Sequence, residues 1–152
     1  MQHEIRRVPS HDTAAAAQLL YDFNREYDDP TPPPDVLAAR LAEVVAGGET
    51  ALFVGGEGPD GVLVVRFRPD LWSQGLEAYV AELYVRPGAR GDGLGRALME
   101  AGMDLARERG AVRIELGTSE DDRTARALYE SLGFDNHEGR GGPLMYVYER
   151  DL

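Results

Sequence analysis

The sequence predicts an α/β protein of the α+β kind. A single mixed, mostly antiparallel sheet of about six to seven strands is flanked by about four helices. Three observations carry this. The middle of the chain holds successive strand-like runs separated by glycine and proline punctuation, as an antiparallel meander requires. The later part alternates strand, helix and strand, the order of a crossover connection. The 152 residues show no internal repeat and no linker, and are enough for one core, so residues 1–152 read as a single domain.

The elements follow in order. "HEIRRV" (His3 to Val8) reads as a short first strand. Ser10 or Asp12 is placed to cap a helix with Ala17, Leu20 and Phe23 on its apolar side. "YDDPTPPP" (Tyr27 to Pro34) then breaks the chain. Asp35 caps a second helix, "VLAARLAEVV", with Val36, Leu37, Leu41, Val44 and Val45 apolar and Gly47-Gly48 at its end. "TALFVGGE" and "GVLVVRFRP" form a hairpin across Gly58-Pro59-Asp60-Gly61. A loop containing Trp72 leads to "EAYVAELYV" (Glu77 to Val85). Alternation there puts Glu82 with Val80 and Tyr84 on one face and Ala81 with Leu83 and Val85 on the other, unless a bulge intervenes. A helix follows with Leu94, Ala97, Leu98, Ala101 and Leu105 on one face, closed by Gly110. "AVRIELGT" (Ala111 to Thr118) is the next strand, "DRTARALYESLGF" a short helix ending at Gly133, and "PLMYVYERD" a last strand. Tyr146 and Tyr148 alternate on it as packing or interface residues.

Composition removes several kinds of function. The 27 acids against 16 bases give a net charge of −11, and every base is arginine. Such a surface repels nucleic-acid phosphate; it favours cationic partners or simply serves solubility. The absence of cysteine excludes disulfides, thiolate metal sites and cysteine nucleophiles. No apolar run approaches the ~18–20 residues of a membrane span. "MQHEIRRVPS" lacks the apolar segment of a secretory signal, so the expected location is cytoplasmic. His3, His11 and His137 have no ligand spacing, and no metal is expected.

The informative stretch is "VRPGARGDGLGRALMEAG", residues 85–102, with five glycines among its eighteen residues. Between Val85 and Leu94 the chain must leave a strand, turn and start a helix. Gly91, Gly93 and Gly95 let backbone approach a ligand. The helix start offers unpaired amides at the positive end of its dipole, and Arg90 and Arg96 add charge: an anion site. Without lysine it is not a P-loop, and Arg96 stands where a dinucleotide-binding turn needs its third glycine. A tight strand-to-helix turn without a ligand is the plain alternative.

"RGDGLG" matches the R/Q-x-x-G-x-G/A signature of the GNAT (GCN5-related) N-acetyltransferase superfamily, which the chain resembles over most of its length. "LYVRP" before the loop resembles that family's fourth strand, and "ALYESLGF" its late helix and turn. The resemblance implies acetyl-coenzyme A as co-substrate. Its pyrophosphate would lie on the amides of Arg90, Gly91, Asp92, Gly93, Leu94, Gly95 and Arg96. Its pantetheine arm would pair like a strand with the backbone of Leu83, Tyr84 and Val85. By the resemblance Asp122, or its neighbour Asp121 if the match slips by one, stands where many relatives carry an asparagine that bonds the same arm; a carboxylate cannot donate as an amide can.

Acetyl transfer from a thioester to an amine requires three things. The amine must shed a proton, since an ammonium with pKa near ~10.4 is no nucleophile. The tetrahedral oxyanion needs a donor, and the leaving thiolate benefits from an acid. By resemblance, Tyr129 of "ALYESLGF" is that acid; packed on the sheet it would be only a core tyrosine. Glu82, inside the apolar "YVAELYV", is the candidate base, with a solvated surface charge as the alternative and Glu77 in reserve. Burial would raise its pKa toward a useful value.

The acceptor side falls on "NREYDDPTPPP" and "FRPDLWSQGLEAY". Glu26, Tyr27, Asp28, Trp72 and Glu77 are the candidate substrate-binding residues, acids and aromatics suited to a cationic amine or equally to a solvated loop. The second run is similar to that of spermidine/spermine acetyltransferases, although their Glu-Asp pair is Ala81-Glu82 here. The resemblance thus implies an enzyme acetylating a small primary amine, polyamine-, aminoglycoside- or amino-acid-like. A non-catalytic coenzyme-binding or sensing module and a peptide N-terminal acetyltransferase are the alternatives. It also implies homodimers, with the last strand as a contact; neither nucleic acid nor membrane is an expected partner.

Overall fold

The computed structural model describes residues 3–152. They form two compact units, one extending to Ile114 and the other running from Glu115 to Leu152.

The first unit is built on a sheet in the order β1 (Ile5–Arg7), β2 (Thr50–Gly55), β3 (Gly61–Pro69), β4 (Leu76–Val85), β5 (Ala111–Glu115). Neighbours from β1 to β4 pair antiparallel. β2 and most of β3 are buried residue by residue, which explains why "ALFV" and "VLVV" are continuous apolar runs rather than alternating ones. Leu52, Val54, Val62, Val64 and Tyr84 pack into one core with α1 (Ala14–Glu26) and α2 (Pro34–Ala46). The other face, with Leu63 and Val65, takes α3 (Leu94–Glu108). α3 can lie close because Gly102 has no side chain: a Cβ there would sit 2.7 Å from Leu63 Cδ2. Gly110 (φ 79°) closes this helix in the left-handed conformation, as expected.

The helix starts differ from the sequence expectation. Neither Ser10 nor Asp12 caps α1. Thr13 holds the N-cap position, and its hydroxyl donates instead to the Ala38 carbonyl in α2 at 2.7 Å. Asp35 does not cap α2 either; the helix begins at Pro34, whose missing N–H costs nothing at a first helical position. Val36, read as apolar-facing, is 51% exposed, while Leu41 is buried.

The bulge left open in the sequence does occur. Val64 pairs with Glu82 but Val65 pairs with Val80, so Ala81 is the extra residue. Val80 therefore shares the α3 face with Val65. Glu82 and Tyr84 share the α1–α2 face with Val64 and Val62, and Ala81 also packs on that side. Glu82 and Val80 stand on opposite faces, contrary to simple alternation.

The second unit contains α4 (Arg123–Ser131), which ends as expected at a left-handed Gly133 (φ 93°). After it the chain turns back through Gly139 and Gly141. Antiparallel pairing there is one bridge, His137 with Leu144, flanked by the Glu138 amide donating to the Pro143 carbonyl and the Met145 amide donating to the Asn136 carbonyl. The last run, "PLMYVYERD", is not a strand: beyond that bond no ladder forms, and Tyr146 and Tyr148 are exposed. The described sheet has five strands, fewer than the six to seven expected.

Candidate active site

After Val85 the chain makes a 3₁₀ turn at Pro87–Ala89, passes an extended Arg90, and reaches α3 through Gly91 and Gly93 (φ 92° and 86°). Those angles strongly disfavour any residue with a Cβ, which accounts for the glycines. Gly93 is the N-cap of α3. No side chain caps the helix and no acid stands in its first turn, so its leading N–H groups face outward at the positive end of the dipole. Leu94 is buried and seats the helix start. A Cβ on Gly91 would meet nothing within 4 Å, so the approach is open. Gly95 lies in the first turn, and Arg96 is 3.9 Å from Glu100 one turn on. On the other side His3 Nε2 is 2.6 Å from the Asp92 carbonyl.

Arg90 is less free than the sequence suggests. Its Nη2 donates to both carboxylate oxygens of Glu26 (2.8 and 3.0 Å), and its Nε donates to the Val85 carbonyl at 2.8 Å. The guanidinium carbon lies 5.6 Å from the centroid of the Tyr84 ring. The Tyr84 hydroxyl donates to the same Glu26 carboxylate at 2.9 Å, and its ring stacks on Phe23 at 4.9 Å. Burial, together with Glu26, pushes the Tyr84 phenol up to about 12, so it stays protonated and donating.

Glu82 is exposed as a residue, yet its carboxyl is held above the ordinary carboxylate range. Desolvation against the sheet is the larger cause; the Arg66 guanidinium opposes it. Glu77 is already engaged, forming ion pairs with Arg68 and Arg113, and Arg113 also lies 3.7 Å from the buried Asp70. Tyr27 and Asp28, at the end of α1, are exposed; Asp28 takes a left-handed φ of 56°, and Tyr27 packs edge-on against Phe23. Trp72 is 89% exposed at the tip of the β3–β4 loop, next to an equally bare Leu71. That loop leads into β4 at Leu76, while the anion loop leaves β4 at Val85, so Trp72 and Glu77 stand at the opposite end of the strand from Glu26.

Within the second unit, Tyr129 is half-buried on α4, edge-to-face with Phe134 at 5.9 Å. Burial first, and the Asp122 carboxylate second, raise its phenol. A hydroxyl so shifted remains protonated at neutral pH, the state an acid must occupy before transfer. Asp122 itself caps α4, accepting the Ala125 amide at 3.1 Å.

Residues 13–134 match the Acetyltransferase (GNAT) family. The chain belongs to the GNAT family. It is accordingly an acyltransferase in class. The N-acetyltransferase YhfO of Bacillus subtilis (strain 168), itself uncharacterised, is 30% identical over 89% of this chain and 91% of its own. A crystal structure from Arthrobacter sp. FB24, described no further than as an acetyltransferase, superimposes with a TM-score of 0.90. It is 44% identical and covers 98% of this chain and 96% of that one. The mycothiol acetyltransferase of Beutenbergia cavernae is 42% identical over 49% of this chain; the GNAT chain spans only 25% of that relative's length.

Three contacts of this GNAT protein escaped the sequence reading. His3, set aside for lack of metal spacing, reaches the loop carbonyl of Asp92. Arg66 faces the candidate base, and Glu26 meets Arg90 rather than open solvent. Each depends on long-range pairing, for which local spacing carries no signal. Among the described residues no cluster of three or more His, Asp or Glu could hold a metal, and no helix is long and apolar enough to cross a membrane.

Proposed function

We propose that the protein transfers the acetyl group of acetyl-CoA to a primary amine of a small molecule, by direct attack within a ternary complex and as a single catalytic domain. The observation that carries this is the uncapped α3 N-terminus opening on two left-handed glycines. Its donor set fits a pyrophosphate: outward amides, no acid in the first turn, and open space at Gly91. When bound, the coenzyme supplies an acetyl thioester. The amides from Gly91 to Arg96 would hold its phosphates, and the backbone of Leu83 to Val85 would align its arm, with the Val85 carbonyl shared with Arg90.

The remaining roles fall to side chains. Glu82, with its raised pKa, takes a proton from the amine directly or through water. Tyr129, held protonated, gives one to the leaving sulfur. An acceptor carrying positive charge before deprotonation suits the acidic chain, net −11. Thiol release from acetyl-CoA in the presence of polyamines, aminoglycosides, amino acids and peptides tests the proposal. Turnover with a small amine is the expected result; a tightly bound coenzyme with no turnover on any acceptor would instead favour a sensing module.

A further inference from the structure

Glu26, the last residue of α1, reads in the sequence as an acid waiting for an amine. Its surroundings argue otherwise. Oε1 accepts from both Arg90 and Tyr84, Oε2 accepts from Arg90, and the side chain is only 27% exposed. Its charge is matched by a guanidinium whose Nη2 lies within hydrogen-bond reach of both carboxylate oxygens, a charge-assisted contact stronger than a neutral one. A cationic acceptor would have to compete for the same oxygens with that guanidinium and with the hydroxyl of Tyr84, 5% exposed.

The arginine at the other end is the first residue of the donor loop. Arg90 is anchored twice, to Glu26 by Nη2 and to the Val85 carbonyl by Nε, and three residues later the chain enters α3 at the Gly93 cap. A segment this short transmits any displacement of Arg90 to the amides that follow. Phe23, one turn before Glu26 on α1, stacks on Tyr84, so the helix end is itself fixed against β4. An isolated exposed ion pair contributes little, but in this one Nη2 spans both carboxylate oxygens, Glu26 is partly shielded, and the Tyr84 hydroxyl adds a further hydrogen bond.

We propose that Glu26 is a positioning residue for the donor side: by clamping Arg90 against Val85 and Tyr84 it fixes the Gly91–Arg96 amides, and it does not bind the acceptor amine. The inference rests on reading those amides as the coenzyme site.

The test compares Glu26→Ala, Glu26→Gln, Arg90→Lys, Arg90→Ala and the double variant Glu26→Ala/Arg90→Ala, all at half-exposed positions that leave the core intact. Calorimetry with coenzyme A reads the donor side directly. Glu26→Ala and Arg90→Lys should each weaken it about tenfold, and the double variant should be no weaker than Arg90→Ala alone, as expected for one coupled unit. Glu26→Gln, which keeps an acceptor oxygen but not the charge, should fall between Ala and wild type. In turnover, KM for acetyl-CoA should rise while KM for the amine stays within about twofold. A raised amine KM with unchanged coenzyme affinity would overturn the proposal and return Glu26 to the acceptor site. Amide hydrogen exchange over Gly91–Arg96 in the ligand-free protein is independent of the coenzyme reading. Faster exchange in Glu26→Ala supports the clamp; unchanged exchange refutes it. Wild-type protein that fails to bind coenzyme A would defeat the functional reading instead, and exchange alone would then decide the clamp.

Discussion

Asp122 accepts the Ala125 amide at 3.1 Å, so this carboxylate is the N-cap of α4. Asparagine caps a helix about as well as aspartate, whereas alanine does not. Asp122→Ala should therefore lower unfolding stability by roughly 1 kcal/mol, and Asp122→Asn should leave it nearly unchanged. Urea denaturation followed by circular dichroism measures both. Asn also adds an amide donor that the carboxylate lacks, so tighter coenzyme binding at unchanged stability would assign the position a binding role apart from its cap.

Tyr129 should carry a step that stability measurements do not see. Replacing it with phenylalanine keeps the ring contact with Phe134 and removes only the proton. We expect kcat to fall roughly 10²-fold or more while coenzyme affinity changes little, the signature of a lost general acid. Because burial and Asp122 raise the phenol above its ordinary value, wild-type kcat should hold through neutral pH and decline only in strongly alkaline buffer. Undiminished turnover in Tyr129→Phe would remove the residue from the chemistry.

The acid limb of the pH–rate profile should belong to Glu82 and respond to Arg66. Desolvation holds the Glu82 carboxyl high and Arg66 pulls it down. As pH falls through that raised pKa the base is protonated and kcat/KM drops; Glu82→Gln should flatten this limb along with most of the rate. Arg66→Gln removes the cation that lowers the pKa, so the limb should move to higher pH. A shift to lower pH, or none, would show that another group sets the limb.

Gly102 makes the close approach of α3 to β3. An alanine there brings its Cβ to 2.7 Å from Leu63 Cδ2 and 3.3 Å from Val65 Cγ2, both in fully buried side chains. Overpacking costs roughly 1–3 kcal/mol, offset by about 1 kcal/mol of helix propensity gained over glycine. The net expectation for Gly102→Ala is a thermal midpoint lower by roughly 2–4 °C. An unchanged midpoint would mean that Leu63 rotates aside without strain.

What the sequence makes legible follows from the range of each interaction. The apolar runs of β2 and β3, the proline-broken gap before α2, and the glycines at the start and end of α3 are local requirements, and each stands where spacing predicts it. The α1 cap is not local. Thr13 gives its hydroxyl to Ala38, a partner chosen by helix packing, so Ser10 and Asp12 are misleading cues. The same holds for Glu26, whose partners lie 58 and 64 residues away. "PLMYVYERD" has strand composition, but a ladder needs a partner, and the pairing that starts at His137 and Leu144 stops almost at once.

One residue of slack in β4 has a wider effect than its size suggests. Ala81 shifts the phase of the strand, so that even-numbered positions before it and after it obey opposite rules. Ala78 and Val80 are buried, paired with Phe67 and Val65; past the shift Glu82 and Tyr84 turn to the other face, where Tyr84 is buried and Glu82 lies exposed within the field of Arg66. Without the shift, the carboxylate would share the face of Val80 and be driven into the core. The strand thus joins two half-patterns of opposite parity, and a single extra alanine decides which face the Glu82 carboxylate takes.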